Sequence, residues 1–302
     1  MRIDVRNCLI SANISYKESG NNIGDGWIGV QHCPFCGDNR YHAAINLNSA
    51  AFSCWVCGKK AWIYEYLRAE LGLTEQEVKD FGRQFFTLYG DAYKGQKRIS
   101  PPAGKVLEFP STFRPLEGVC LDYLLSRGYD VSVAQRYNLQ CADITDPFWK
   151  FRVIFPFYFD WKLVAWTGRT IMKDVDPRYK NISNKQSLMD VRATLYNIDA
   201  LARNSILVEG PTDVLRIGSS CAAVIGLEFT NAQVYRIKER GVERVSIVFD
   251  GEDKAVKRAI RLAKCLDMIG VHADVIRLPD GMDPGSMSDS DAADLRKECG
   301  VV

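Results

Sequence analysis

Two stretches, Ser205-Ile206-Leu207-Val208-Glu209-Gly210-Pro211-Thr212-Asp213 and Arg244-Val245-Ser246-Ile247-Val248-Phe249-Asp250-Gly251-Glu252-Asp253, follow one plan. Each runs a short apolar segment into a carboxylate and then a glycine. An apolar run of this length, bounded by turn residues, reads as a buried strand, so both stretches put an acid at a strand's carboxyl end. Around them SILVEG (205–210), CAAVIG (221–226), RVSIVFD (244–250) and DVIRLP (274–279) alternate with helical patterns at about 213–219, 231–240 and 254–269. Such alternation predicts an α/β fold with a parallel, doubly wound sheet over residues 204–302. In the last of these helices Ala255, Ala259, Leu262, Ala263, Leu266 and Ile269 form an apolar stripe, with Lys257, Arg258, Arg261 and Lys264 mostly elsewhere.

In open α/β sheets, ligands bind in the crevice at the carboxyl ends of the strands. Glu209 and Asp250 are expected to converge there, with Glu252 beside them. Clustered carboxylates need a counter-charge to stay ionised. Hard oxygen donors in a small group suit Mg2+ or Mn2+ bound together with substrate phosphates. Asp283, in Gly-Met-Asp-Pro-Gly, can add an outer ligand. Acids that follow strands also cap helices, which describes Asp213 and Asp253 well and Glu209 poorly.

Upstream, residues 106–203 mix short helices with aromatic strands, and FRVIFPFYFDWKLVAWTGRT (151–170) reads as two strands around a turn at Asp160. From 150 to 185 there are eight basic residues (Lys150, Arg152, Lys162, Arg169, Lys173, Arg178, Lys180 and Lys185) against three acids (Asp160, Asp174 and Asp176). That local excess suits phosphates. Further back, DAYKGQKRISPPAGK (91–105) has the composition of a linker. Residues 1–90 hold a helical pattern at Trp62, Ile63, Tyr66, Leu67 and Leu71, then a capping box, Thr74 with Glu77, that starts a helix through Phe86.

Of the ten cysteines, four form two Cys-x-x-Cys-Gly knuckles, Cys33/Cys36 and Cys54/Cys57. Doubled knuckles supply the four thiolates of a closed tetrahedral zinc site, one ion per chain, and argue against redox disulfides or idle thiols. HAAINL, the turn Asn48-Ser49 and AAFSCW predict the β-hairpin between them. His32 abuts the first knuckle but finds the shell filled. A closed site is structural, so its use lies on its surface, where Arg40, Tyr41, His42, Trp55, Lys59 and Lys60 offer cations and aromatic faces to phosphates and unstacked bases.

The whole chain of 302 residues carries a formal net charge of +2 and 47% hydrophobic residues, ordinary for a globular protein and too neutral for a uniform nucleic-acid binder. No secretory signal or membrane-length apolar run occurs, so a cytoplasmic protein is expected.

Residues 204–290, through EGPTDV, FDGEDKAVKRA and LPDGMDP, resemble the TOPRIM domain, and specifically that of bacterial and phage-type DNA primases. RGYDVSVAQRYNL, FRVIFPF, WTGRT, PRYKNISN and TLYNI look like the basic N-terminal part of the primase polymerase core. The zinc block is similar in position, with Cys36 where many bacterial relatives have histidine. The resemblance implies a zinc ribbon (1–90), a linker (91–105), a mixed α+β basic subdomain (106–203) and a Rossmann-like TOPRIM subdomain (204–302). It implies a DNA-dependent RNA polymerase that makes RNA primers on single-stranded DNA from ribonucleoside triphosphates, beside a separately encoded helicase, in the host cytoplasm if phage-encoded. Glu209, Asp250 and Glu252 would be catalytic and would hold one or two Mg2+ or Mn2+ ions, with Asp283. Arg152, Arg169 and Lys180, together with Lys185 and Arg192, would bind template or nucleotide. The chain departs from the family at Glu252, where the second acid is usually aspartate, and at Lys254-Ala255 in place of Ala-Gly, so Asp253 rivals Glu252 as third ligand. A TOPRIM nuclease or a non-catalytic recombination-mediator-like clamp are the alternatives. The first usually carries a P-loop, absent here, and the second places its zinc site next to the TOPRIM domain.

Overall fold

Asn46 closes the first hairpin with its own side chain: its Oδ1 accepts the N–H of Asn48 at 3.0 Å and of Ser49 at 2.9 Å. That turn joins strands Ala43–Asn46 and Ala51–Cys54, placing the hairpin where the sequence predicts it. The structure, a computed structural model, describes residues 2–20, 23–83, 86–87, 101–102, 104–226 and 228–301. The chain divides into two units, Met1–Lys94 with Asp267–Ile269, and Gly95–Leu266 with Gly270–Val302. Residues 91–100 and 103 of the expected linker lie outside the described residues.

In the first unit five antiparallel strands lie in the order Tyr16–Lys17, Trp27–Val30, Ala43–Asn46, Ala51–Cys54, Lys60–Trp62. Helix Ile63–Leu71 buries Ile63, Tyr66 and Leu67, the residues its 3.6 period selects. Tyr66 stacks on Phe52 of the hairpin at 4.8 Å between ring centroids. The capping box forms: Glu77 Oε2 accepts the Thr74 N–H at 2.8 Å, and Thr74 Oγ1 accepts that of Glu77 at 3.3 Å. The helix it starts spans Glu75–Arg83 and does not run through Phe86. Phe86–Thr87 instead pairs with Arg2–Ile3. Local periodicity cannot foresee a strand partner some eighty residues away, and the tertiary pairing wins.

The second unit holds two sheets. Five antiparallel strands run in the order Tyr179–Asn181, Lys162–Thr170, Arg152–Phe159, Gln140–Ala142, Phe113–Pro115. The long hairpin turns at Asp160 and Trp161, whose φ values of 51° and 60° are those of a two-residue turn matched to strand twist.

The other sheet is parallel throughout, in the order Cys221–Ala223, Asn204–Val208, Arg244–Ile247, His272–Val275. Its fourth strand starts two residues before the expected one, because pairing of Arg244 with His272 sets the register. Helices Pro211–Ile217, Asn231–Glu239, Asp253–Met268 and Asp289–Glu298 complete this part. Ala255, Ala259, Leu262, Ala263 and Leu266 are buried, as the stripe requires. The carbonyl of Glu252 accepts the N–H of Val256 at 3.0 Å, so Glu252 takes the capping position and Asp253 the first helical one.

Candidate functional site

The four thiolates meet. Cys33 Sγ lies 4.0 Å from Cys57 Sγ and Cys36 Sγ 3.9 Å from Cys54 Sγ, and all four sulfurs fall within 4.8 Å of one another. A tetrahedral ion with sulfur ligands at about 2.3 Å needs sulfur–sulfur edges of about 3.8 Å. The donor set fits zinc on chemistry and spacing. Gly37 and Gly58, at φ of 75° and 70°, turn their N–H groups back onto the carbonyls of Cys33 and Cys54 at 2.8 and 3.0 Å. Burial pushes the Cys33 thiol up to about 12, whereas the Lys59 N–H draws the Cys57 thiol down. His32 is no ligand; its Nδ1 contacts Glu70 Oε2 at 2.7 Å. Around the knuckles Trp55, Val56 and Phe35 are exposed, with Lys59 Nζ 5.0 Å from the Phe35 ring centroid.

In the second unit Glu209 follows strand Asn204–Val208, and Asp250 comes three residues after strand Arg244–Ile247, the neighbouring strand in the sheet. Gly251 lets the loop from 278 to 283 lie against this end. A Cβ there would sit 2.0 Å from the carbonyl oxygen of Pro279, and the Gly251 N–H donates to the Met282 carbonyl at 2.9 Å. The loop thereby carries Asp283 to the acids. At Gly285 an added Cβ would stand 2.8 Å from Asp213 Oδ1 and 3.1 Å from Asp283 Oδ1, so two carboxylates flank one glycine.

Electrostatics shows the crowding. Burial raises the Asp250 carboxyl to about 6, helped by repulsion from Glu209, Asp283 and Glu252 and opposed by Arg258. Burial raises Asp213 to about 7; the Gly210 N–H, donated to its Oδ2 at 2.8 Å, opposes this, and Asp250, Asp283 and Glu209 add to it. Two carboxyls raised by burial and by one another mark a desolvated group of crowded acids, and oxygen donors in such a group fit a hard divalent cation. Among the described residues the four cysteines are nevertheless the one group of three or more Cys, His, Asp and Glu donors drawn into mutual reach. The acids gather at the carboxyl end of the parallel sheet without closing on a point.

Asp253 is exposed and receives Arg277 Nη2 at 3.1 Å. Asp213, read from sequence as a cap, does cap Gly210 and is also buried within the acid group. Its place four residues after Glu209, one turn into the helix, was the signal for that second role. Arg258 had no such signal. Its Nη2 donates to both oxygens of Glu209, at 2.6 and 2.5 Å, across 49 residues of sequence.

The expected phosphate-binding cations divide. Arg152 is buried, its Nη1 donating to the carbonyls of Gly168, Pro177 and Arg178 at 3.0, 3.2 and 3.4 Å. Arg169 is buried too, its Nη1 donating to Tyr179 Oη and Thr212 Oγ1, both at 3.0 Å. Both guanidinium groups are enclosed rather than solvated, because both residues sit on interior strands of the five-stranded sheet. Lys180 is half-buried, donates to the Phe148 carbonyl at 3.3 Å and lies 5.0 Å from that ring's centroid. Lys185 and Arg192 are exposed, and Arg192 Nη2 donates to the Glu228 carbonyl at 2.8 Å.

Fold and site define a chain with a four-thiolate ribbon and a parallel sheet bearing a group of crowded acids. The Toprim-like family matches residues 198–288. The chain is similar to bacterial DNA primases. That of Chlamydia muridarum (strain MoPn / Nigg) is 22% identical over 303 residues, covering 84% of this chain and 50% of that protein. That of Staphylococcus aureus (strain MSSA476) is 29% identical over 182 residues, covering 55% and 29%. The chain thus spans half or less of the length of these curated relatives. Among solved structures, the zinc-binding and RNA polymerase domains of the Aquifex aeolicus primase match 99% of this chain and 83% of that one, with a TM-score of 0.51 at 17% identity. The fold is that of a bacterial-type primase, with a Toprim-like sheet.

Proposed function

We propose that the protein is a DNA primase, a DNA-dependent RNA polymerase that makes short RNA primers on single-stranded DNA from ribonucleoside triphosphates. The observation that carries this is the crowding of Glu209, Asp213, Asp250, Glu252 and Asp283 at the carboxyl end of the parallel sheet. The order of modules, a four-cysteine ribbon followed by this sheet, supports it.

Cys33, Cys36, Cys54 and Cys57 would hold one zinc ion whose purpose is structural. Glu209, Asp250 and Glu252 are the catalytic acids in this reading and would hold one or two Mg2+ or Mn2+ ions, with Asp283 and Asp213 behind them. Such ions stabilise charge on a reacting phosphate and on leaving pyrophosphate. The protein's own work is positional. Glu209 and Asp250 follow neighbouring strands of the parallel sheet, and Glu252, at the cap of the next helix, lies close enough for its charge to act on Asp250. Glu252 is preferred to Asp253 as third ligand because its charge acts on Asp250, whereas Asp253 faces Arg277. Lys180, Lys185 and Arg192 offer template and nucleotide phosphates their charges, and Arg169 ties the basic sheet to the helix that carries Asp213. No described helix is long and apolar enough to cross a membrane.

The test is incubation with single-stranded DNA, labelled ribonucleotides and Mg2+. Short RNA, lost in Glu209→Gln and Asp250→Asn, is expected. Nicked DNA without RNA would turn the reading toward a nuclease.

A further inference from the structure

Arg258 stands on helix Asp253–Met268 beside the buried Ala259, and its guanidinium lies 6.0 Å from the centroid of the Phe249 ring. A single nitrogen, Nη2, bridges Glu209 Oε1 at 2.6 Å and Oε2 at 2.5 Å. A donor placed symmetrically between two carboxylate oxygens covers the edge through which a carboxylate chelates a cation. The two side chains are each about 20% exposed, so solvent screens their attraction only in part.

From this geometry we infer that Arg258 competes with the divalent cation for Glu209, making it a positioning residue that sets how tightly the metal is held. The inference rests on the proposed reading of Glu209 as a metal ligand. When a cation takes the chelating edge, Arg258 has a second carboxylate to turn to. Glu228 lines the same narrow cleft as Glu209, Phe249 and Arg258, and in this structure receives Arg261 at 2.5 Å. Metal loading is therefore an exchange of ion pairs rather than the filling of a preformed cage. The exchange accounts for acids that crowd one another electrostatically without converging on one point. Because linkage is reciprocal, whatever the arginine contributes to holding Glu209 is subtracted from the binding of the cation.

The experiment is titration of the 302-residue protein with Mn2+, in the absence of nucleotide and DNA, following free Mn2+ by electron paramagnetic resonance. Arg258→Ala and Arg258→Gln should bind Mn2+ about tenfold more tightly than the unmodified protein, within the usual range of coupling between two linked events. Arg258→Lys, which keeps the charge and loses the planar fork, should fall between. Lys257→Ala removes the neighbouring charge and leaves the contact with Glu209 in place, so it should change affinity by no more than about twofold. Circular dichroism checks that each variant is folded, and the Gln and Lys variants stand in if Ala does not fold. Arg258 variants that bind Mn2+ no more tightly than the unmodified protein, while Glu209→Gln weakens binding, would overturn the competition alone. Glu209→Gln with unchanged affinity would overturn the ligand assignment, and the competition with it.

Discussion

Arg152 shows how a charged residue can read one way in composition and another in the fold. Its guanidinium is buried against three carbonyls, those of Gly168, Pro177 and Arg178. Arg152→Ala would leave those acceptors without their charged donor, and the cost of such a loss is roughly 2 kcal/mol. A denaturant melt should register that cost, whereas Lys185→Ala, at an exposed position, should shift stability by less than about 0.5 kcal/mol. At the acids, Glu209→Gln and Asp250→Asn should each abolish primer synthesis with the fold intact, and Glu252→Asp should keep part of it. Asp253→Ala should cost only a few tenths of a kcal/mol, because its exposed ion pair with Arg277 is weak. Primer assays beside thermal melts on these four variants and on Glu252→Ala decide the ligand set. A dead Asp253→Ala with an active Glu252→Ala would move the assignment by one residue.

At the scale of the element, two loops do most of the positioning. The turn before strand Arg152–Phe159 is pinned by Asp146, which is 7% exposed. Its Oδ1 accepts the N–H groups of Phe148 and Trp149, both at 2.8 Å, and its Oδ2 accepts Thr112 Oγ1 at 2.7 Å. Burial works against the charge, yet these hydrogen bonds and Lys180 outweigh it and hold the carboxyl below 3.8. A depressed carboxyl stabilises the fold above its unfolded pKa and ceases to do so as pH falls through the folded one. Asp146→Asn should therefore lower stability at pH 7 by about 1–3 kcal/mol, and by progressively less as pH drops below 3.8. Equal losses at pH 7 and pH 3 would contradict this. The second loop, 278–283, depends on Gly251. Gly251→Ala must push a methyl into the Pro279 carbonyl, whose oxygen lies 2.0 Å from the added atom. The loop has to move and take Asp283 with it, so primer synthesis should fall by more than tenfold while zinc content stays unchanged.

Across the whole molecule, the two units have separate sources of stability. The first has a small sheet clasped by four thiolates, and the second a parallel sheet with a continuous apolar core. Elemental analysis should find one zinc per chain. Structural zinc contributes folding free energy directly, so Cys54→Ser or a chelator should unfold residues up to about 60. Hydrogen exchange read by mass spectrometry should then show fast exchange in Ala43–Asn46 and Ala51–Cys54 and continued protection in Asn204–Val208 and Arg244–Ile247. Loss of protection in all four strands would show that the units fold as one.

Much of this was legible in the chain itself, wherever a local pattern carries the information. Spacing alone places the cysteines, since two residues between thiolates suffice for one ion. Apolar runs ending in Glu209 and Asp250 announce the parallel sheet and its acidic end, because strand burial and strand-end turns leave a short-range signature. The Thr74–Glu77 box and the Asn48–Ser49 turn are equally local. Tertiary structure alone decided the pairing of Phe86 with Ile3, the burial of Arg152 and Arg169 and the contact of Arg258 with Glu209. Each depends on atoms brought together across tens of residues, and whether a charge is solvated or enclosed is set by its neighbours in space. Residue type and spacing carry no record of that.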